Sequence, residues 1–195
     1  MMRKYLLFSI SICISLFSFA QDFSNKGKDF YLCFPQHVPS GTNLATLSIY
    51  ITSDRASSGT ITMANGAFSA TFNIVAFGIQ EIQIPHASAH ISNAESFTII
   101  KKSIRIKVNP GQPAVVAYAQ QWGAARSAAT LLLPVNVLGK KYYSINFTQN
   151  GSNQGTYLAK SQFQIIATKN NTVVQITPRL NGVLNTTITV NFPCS

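Results

Sequence analysis

The chain has 195 residues, enough to bury a substantial core, yet only 10% of them are charged. Its formal net charge is +10 and it holds 5 acidic residues against 15 basic ones. Carboxylates this scarce leave little material for acid–base catalysis or for oxygen-ligand metal sites, and so weigh against most hydrolase and calcium-binding classes.

The first twenty residues read as a secretory signal peptide. Arg3 and Lys4 give a positive start, Tyr5 to Phe17 is apolar, and Ser18-Phe19-Ala20 is a small-x-small cleavage site. The apolar run is too short for a membrane span, which needs about 20 residues. Cys13 follows Ile12, not a small residue, which argues against a lipid-attachment site. Removing Arg3 and Lys4 lowers the formal charge from +10 to +8. In an exported protein that charge suits acidic glycans, mucins or anionic surfaces, and equally suits mere solubility. Lys101, Lys102, Arg105 and Lys107 lack interleaved aromatics, so nucleic acid is not expected as a partner. The membrane is expected as a partner only during export.

The remainder, 21–195, is a succession of short β signals. Asp29–Phe34 is the first. Thr46–Thr52 alternates, with Leu47, Ile49 and Ile51 on one face. Thr60–Met63 and Ala67–Ile74 flank Asn65-Gly66, a dipeptide suited to the positive φ of a tight hairpin. Ile79–Ile84 alternates and stops at Pro85. Phe97–Ile100 and Ser103–Val108 follow, with Arg105 and Lys107 on the wet face. Ala114–Gln120 is a nearly continuous apolar run, expected to be covered on both faces. Gln121–Arg126 is expected as a loop. Ala128–Leu133 is a second apolar run, stopped by Pro134, and Pro134–Gly139 is a compact turn. Lys141–Phe147 alternates as an amphipathic strand.

Thr148–Gly155 is a polar loop. Gln162–Thr168 and Thr172–Thr177 flank Lys169-Asn170-Asn171 as a hairpin, and Asn181-Gly182 turns into Val183–Phe192. Only Ala87–Ala94 suggests a helical turn. About a dozen strands at short intervals predict an all-β, antiparallel, sandwich-like domain. No composition break divides 21–195.

Cysteines, histidines and acids offer little chemistry. Cys33 and Cys194 could form a disulfide after export, or Cys33 could be a buried free thiol. They make no metal motif, and no metal or cofactor is expected. His86 and His90 would share a face if helical but lack the neighbouring Glu of a metalloprotease helix. Asp54 and Glu81 both sit beside strand ends, without a visible pairing for glycosidic chemistry. The candidate ligand-binding residues are Gln120, Trp122 and Arg126. Trp122 offers a flat apolar face to a sugar or peptide and Arg126 a bidentate donor to an anion; alternatively Trp122 caps the core with Arg126 packed on it.

Four pieces in order carry a family resemblance. They are Gly27-Lys28-Asp29-Phe30, the run Ala114 to Ala119, the stretch Leu132 to Lys140 with Tyr142-Tyr143, and Ala167 to Val173. Together they resemble the IgG-Fc-binding protein N-terminal domain family. The resemblance implies a secreted or surface-displayed β-rich module of the kind found in large bacterial surface proteins and animal mucus proteins. No ligand residues can be carried over from it. The family domain usually continues with further strands, so this chain is expected to be the first part of something longer. The reading is a non-catalytic binding or adhesion module for a glycan, mucin or glycoprotein. A structural spacer and an extracellular polymer hydrolase are the rivals.

Overall fold

The computed structural model describes residues 24–37, 44–123, 126–145, 162–180 and 183–192. The leader, the 148–155 loop, the Asn181-Gly182 turn and Cys194 lie outside these residues. The described chain is all-β, with antiparallel pairing throughout its sheets.

The elements run β1 (Asp29–Leu32), β2 (Thr46–Thr52), β3 (Ser57–Met63), β4 (Ser69–Ile74) and β5 (Ile79–Ile84). A single helical turn, α1 (His86–Ala89), follows, then β6 (Ile104–Val108), β7 (Val116–Gly123) and β8 (Arg126–Leu131). The last elements are β9 (Thr172–Ile176), β10 (Arg179–Leu180), β11 (Val183–Leu184) and β12 (Ile188–Phe192). One four-stranded sheet has the order β5-β2-β7-β8 and a second has β1-β6-β3-β4. Two further two-stranded sheets pair β9 with β12 and β10 with β11.

Period-two patterning explains the sandwich-like core. Leu47, Ile49 and Ile51 of β2 point inward beside Ile82 and Ile84 of β5 and Ala117 and Ala119 of β7. Phe30, Ile61, Phe72, Ile104 and Ile106 of the second sheet belong to the same buried cluster. Each such aliphatic or aromatic side chain taken fully from water contributes about 1.5–3 kcal/mol. Gly66 closes the β3–β4 hairpin with φ 74°, the left-handed value its turn requires. Arg105 holds β6 to β1 on the outer face: its Nε and Nη2 donate to the two Asp29 carboxylate oxygens at 2.8 and 2.6 Å. Its guanidinium also sits over the Tyr31 ring, 5.3 Å from the centroid.

β2 and β5 have the bounds that the alternation predicts, and Arg105 and Lys107 lie on the wetter face of β6 as expected. Several expectations are corrected. Gln121–Arg126 is no loop, because β7 runs on to Gly123 and β8 begins at Arg126, leaving only residues 124–125 between them. Ala114–Gln120 is covered on one face only, with Tyr118 exposed on the other. Ala128–Leu133 is not a buried strand: residues 127–131 are exposed, and β8 is the outer strand of its sheet.

Residues 97–100, 141–145 and 162–167 are not in strands, although their patterns predicted them. Thr172–Ile176 accordingly pairs forward with Ile188–Phe192 and not back across Lys169-Asn170-Asn171. Val183–Phe192 divides into β11 and β12. Among the described residues, the buried apolar core spans Phe30 to Leu132, and β9 and β12 add nothing to it.

Candidate functional site: the open face of one sheet

The outward face of the β5-β2-β7-β8 sheet gathers aromatic and hydrogen-bonding side chains. On β7 the buried residues are Ala117, Ala119 and Gln121, so Tyr118, Gln120 and Trp122 point the other way. Tyr118 is 40% exposed and Trp122 45%. Residues directly opposite in an antiparallel pair share a face. Tyr50 of β2 lies opposite Tyr118, Ser48 opposite Gln120 and Thr46 opposite Trp122. Such opposed side chains stand about 4.5–5.5 Å apart at Cβ. Trp122 is four residues beyond Tyr118, about 13 Å along the strand at the usual rise.

Between the two aromatic ends lies a polar centre. Ser48 is fully buried under its neighbours, and its hydroxyl donates to Glu81 Oε1 at 2.7 Å. Glu81 lies opposite Tyr50 from β5. Burial first, and the Glu81 carboxylate second, push the Tyr50 hydroxyl above its ordinary value, so it remains protonated as a donor. The result is two aromatic surfaces separated by the Glu81 carboxylate and the Gln120 amide, with the Ser48 hydroxyl buried beneath them. That combination stacks on an apolar face while exchanging hydrogen bonds at its edge.

The candidates from the sequence divide between the two faces. Gln120 and Trp122 are brought together on the open face. Arg126 lies opposite Gly123, whose side of the sheet is the inner one, so Arg126 does not join them. His37 lies near Gly123 on that inner side, its Cε1 3.5 Å from where a Gly123 Cβ would stand. Tyr50, Tyr118 and Ser48 carry no signal of their own in the sequence, and Glu81 stood out only as an acid beside a strand end, not as a neighbour of Trp122. The signal was present in the outward register of Thr46–Thr52, but only the β2–β7 pairing aligns it with Trp122.

Elsewhere the reactive side chains are tied into local structure. His86 and His90 bracket α1 and stack, ring centroids 4.4 Å apart and planes 17° from parallel. Burial holds both below the ordinary imidazole value. Asp54 pairs with Lys26 at 2.8 Å, and Glu95 with Lys102 at 2.8 Å. Asp54 and Glu81 thus have different partners and roles. Among the described residues no group of three or more His, Cys, Asp or Glu could hold a metal ion. Cys33 carries a free thiol whose Sγ donates to Gln164 Oε1, and Cys194 lies outside the described residues.

Residues 128–192 match the IgGFc binding protein family. The match begins in β8 and ends with β12, so it includes Leu132 to Lys140 and Ala167 to Val173, two of the pieces that carry the resemblance. Gly27 to Phe30 and Ala114 to Ala119 fall outside it, as do Tyr50, Tyr118, Gln120 and Trp122. The IgGFc binding protein family match points to a binding module and not to an enzyme family. No curated protein and no solved structure matches the chain.

Proposed function

We propose that the chain is a secreted or cell-surface, non-catalytic binding module, and that its ligand is a glycan or glycoprotein held on the open face of the β5-β2-β7-β8 sheet. The observation that carries this reading is the alignment of Tyr50, Tyr118 and Trp122 on one face with Ser48 and Gln120 between them. Leaving a Trp and a Tyr 45% and 40% exposed forgoes burial that a core position would have supplied. A ligand face recovers it. Sugar rings present apolar faces to such aromatics and hydroxyls to the Gln120 amide and the Glu81 carboxylate, which Ser48 holds from beneath.

The amino-terminal leader supports export, with residues 21–195 acting as one module. The match to the IgGFc binding protein family supports a protein or glycoprotein partner. Immunoglobulin Fc, itself a glycoprotein, is therefore the first ligand to try, followed by mucins and free glycans. The distinct partners of Asp54 and Glu81 favour binding over hydrolysis.

The test is surface plasmon resonance of the chain over immobilised Fc and mucin, followed by a glycan array. Saturable binding that Trp122→Ala weakens at least tenfold supports the reading. Absence of saturable binding on all three surfaces, or binding untouched by Trp122→Ala and Tyr118→Ala alike, refutes it.

A further inference from the structure

The two larger sheets have four outer strands, β1, β4, β5 and β8. Ahead of β1, Pro134 packs against Gly27, where a Cβ would collide with the proline ring. β4 and β5 are joined by the short turn from Val75 to Gly78, and the Asn73 N–H donates to Gln80 Oε1 across it at 2.9 Å. β8 differs. Among the described residues no strand pairs with its outer side, and residues 127–131 are exposed. Natural edge strands are usually blunted by lysine, proline or a bulge. β8 reads RSAATL, with its one charge at the first position and small side chains through the middle.

The hydrogen-bond phase of β8 is fixed by one bond. The Leu132 N–H donates to the Ala117 carbonyl at 2.9 Å, which makes 132 and 117 a bonded pair. Bonded and non-bonded pairs alternate in an antiparallel ladder. Arg126, Ala128 and Thr130 therefore spend their backbone groups on β7, and Ser127, Ala129 and Leu131 direct theirs outward.

We propose that β8 is the docking edge for a second copy of this chain, which joins two β5-β2-β7-β8 sheets into one through an antiparallel β8–β8 pair. The edge is complementary to itself. With Ala129 opposite Ala129 of the mate, Ser127 lies opposite Leu131 and Leu131 opposite Ser127. All three outward-facing residues then exchange both backbone bonds with the mate. Ala128 faces Thr130, and each Arg126 lies opposite Leu132 of the mate, so no like charges oppose one another. Ser127, Ala128 and Ala129 place only small side chains along the approach. The arrangement is a closed two-fold dimer. Its axis stands normal to the sheet, so Tyr118 and Trp122 of both copies face the same side. Pairing does not depend on the binding reading; where both hold, one dimer presents two aromatic faces to a multivalent ligand.

Sedimentation velocity of the purified chain tests this across roughly 1–100 µM, a range in which an interface of modest affinity becomes populated. The wild type shifts from monomer to dimer with rising concentration. Ala129→Pro removes an outward N–H and leaves the β7 ladder intact, so the chain stays monomeric with an unchanged far-UV spectrum. Ala129→Lys sets two lysines against each other at the axis, stays monomeric, and decides the matter if the proline variant fails to fold. A wild type that is monomeric throughout overturns the proposal. So does a dimer that survives both substitutions, or association that continues past two copies. Fc or glycan binding by the monomeric variants, measured separately, bears on the binding face and not on the dimer.

Discussion

Trp122 and Arg126 are four residues apart and lie on opposite faces of one sheet. Trp122 is paired with Ser127 and points to the open side, and Arg126 is paired with Gly123 on the inner side. Binding should therefore separate them. Trp122→Ala and Tyr118→Ala each weaken ligand binding by about tenfold or more, in line with 1.4 kcal/mol per decade. Arg126→Ala changes it by less than about twofold, roughly 0.4 kcal/mol on the same scale. Surface plasmon resonance with one immobilised glycoprotein checks all three.

The sandwich-like core makes a separate prediction at Gly59. A Cβ there would collide with the Lys107 carbonyl oxygen and come within 2.5 Å of the Phe72 ring. The first obstacle is backbone paired in the β3–β6 ladder and the second is a fully buried ring, so neither yields easily. Gly59→Ala destabilises by about 1–3 kcal/mol, as overpacking does. A urea titration followed by far-UV dichroism reads this as a lower midpoint with an unchanged slope.

Acid should weaken the fold in two stages. Burial, aided for His90 by His86 and Lys102, holds both imidazoles below 6.5 in the folded chain, with Glu95 opposing the effect at His90. The unfolded chain then binds more protons just below pH 6.5, so stability falls as pH drops through that window. Glu95 is held below 4.5 first by the Lys102 ammonium and then by the Ser92 N–H, so its contribution is lost at lower pH still. Urea midpoints measured from about pH 7.5 down to about pH 4 should decline. His90→Asn should flatten the upper part of that decline and leave the lower part.

Cys33 should be a slow nucleophile. Burial pushes its thiol up to about 12, so the thiolate is scarce near neutrality. Alkylation of Cys33 by iodoacetamide at about pH 8 should run far slower than for a free cysteine of ordinary pKa near 8.5. It should accelerate on adding urea. Peptide mapping by mass spectrometry follows the site directly.

Some of this architecture was legible in the chain and some was not, for physical reasons. β2 and β5 could be read to their ends because strict alternation of Ile and Leu with polar residues has one structural meaning, and Pro85 cannot donate to a ladder. The run Ala114 to Gln120 misled because alanine is small enough to suit either face. Tyr118 looked buried in a run whose other side the fold leaves open. Gln121 to Trp122 looked like loop because polar and aromatic residues replaced the apolar run, yet β2 and β8 both pair through this point.

Tyr142 to Ile145 shows a different limit. Alternation marks a segment with two unlike faces, but a strand also needs a partner, and residues 141–145 have none in strand among the described residues. Asn170-Asn171 marked a turn correctly and its partner wrongly, since the mate of β9 is the later strand β12. Pairing between segments is written in the whole chain and not in either segment alone. The candidate site shared that property. Trp122 and Gln120 were visible as residues, and the alignment with Tyr50 and Ser48 was not.

The chain has a single tryptophan, and it stands on the proposed binding face. Its emission is therefore a direct reporter. Titrating the chain with Fc glycopeptide or mucin glycopeptide, with affinity measured in parallel by calorimetry, should give a saturable blue shift whose midpoint equals the calorimetric one. Calorimetric binding with Trp122 emission unchanged would contradict the account, because the ligand would then occupy some other surface.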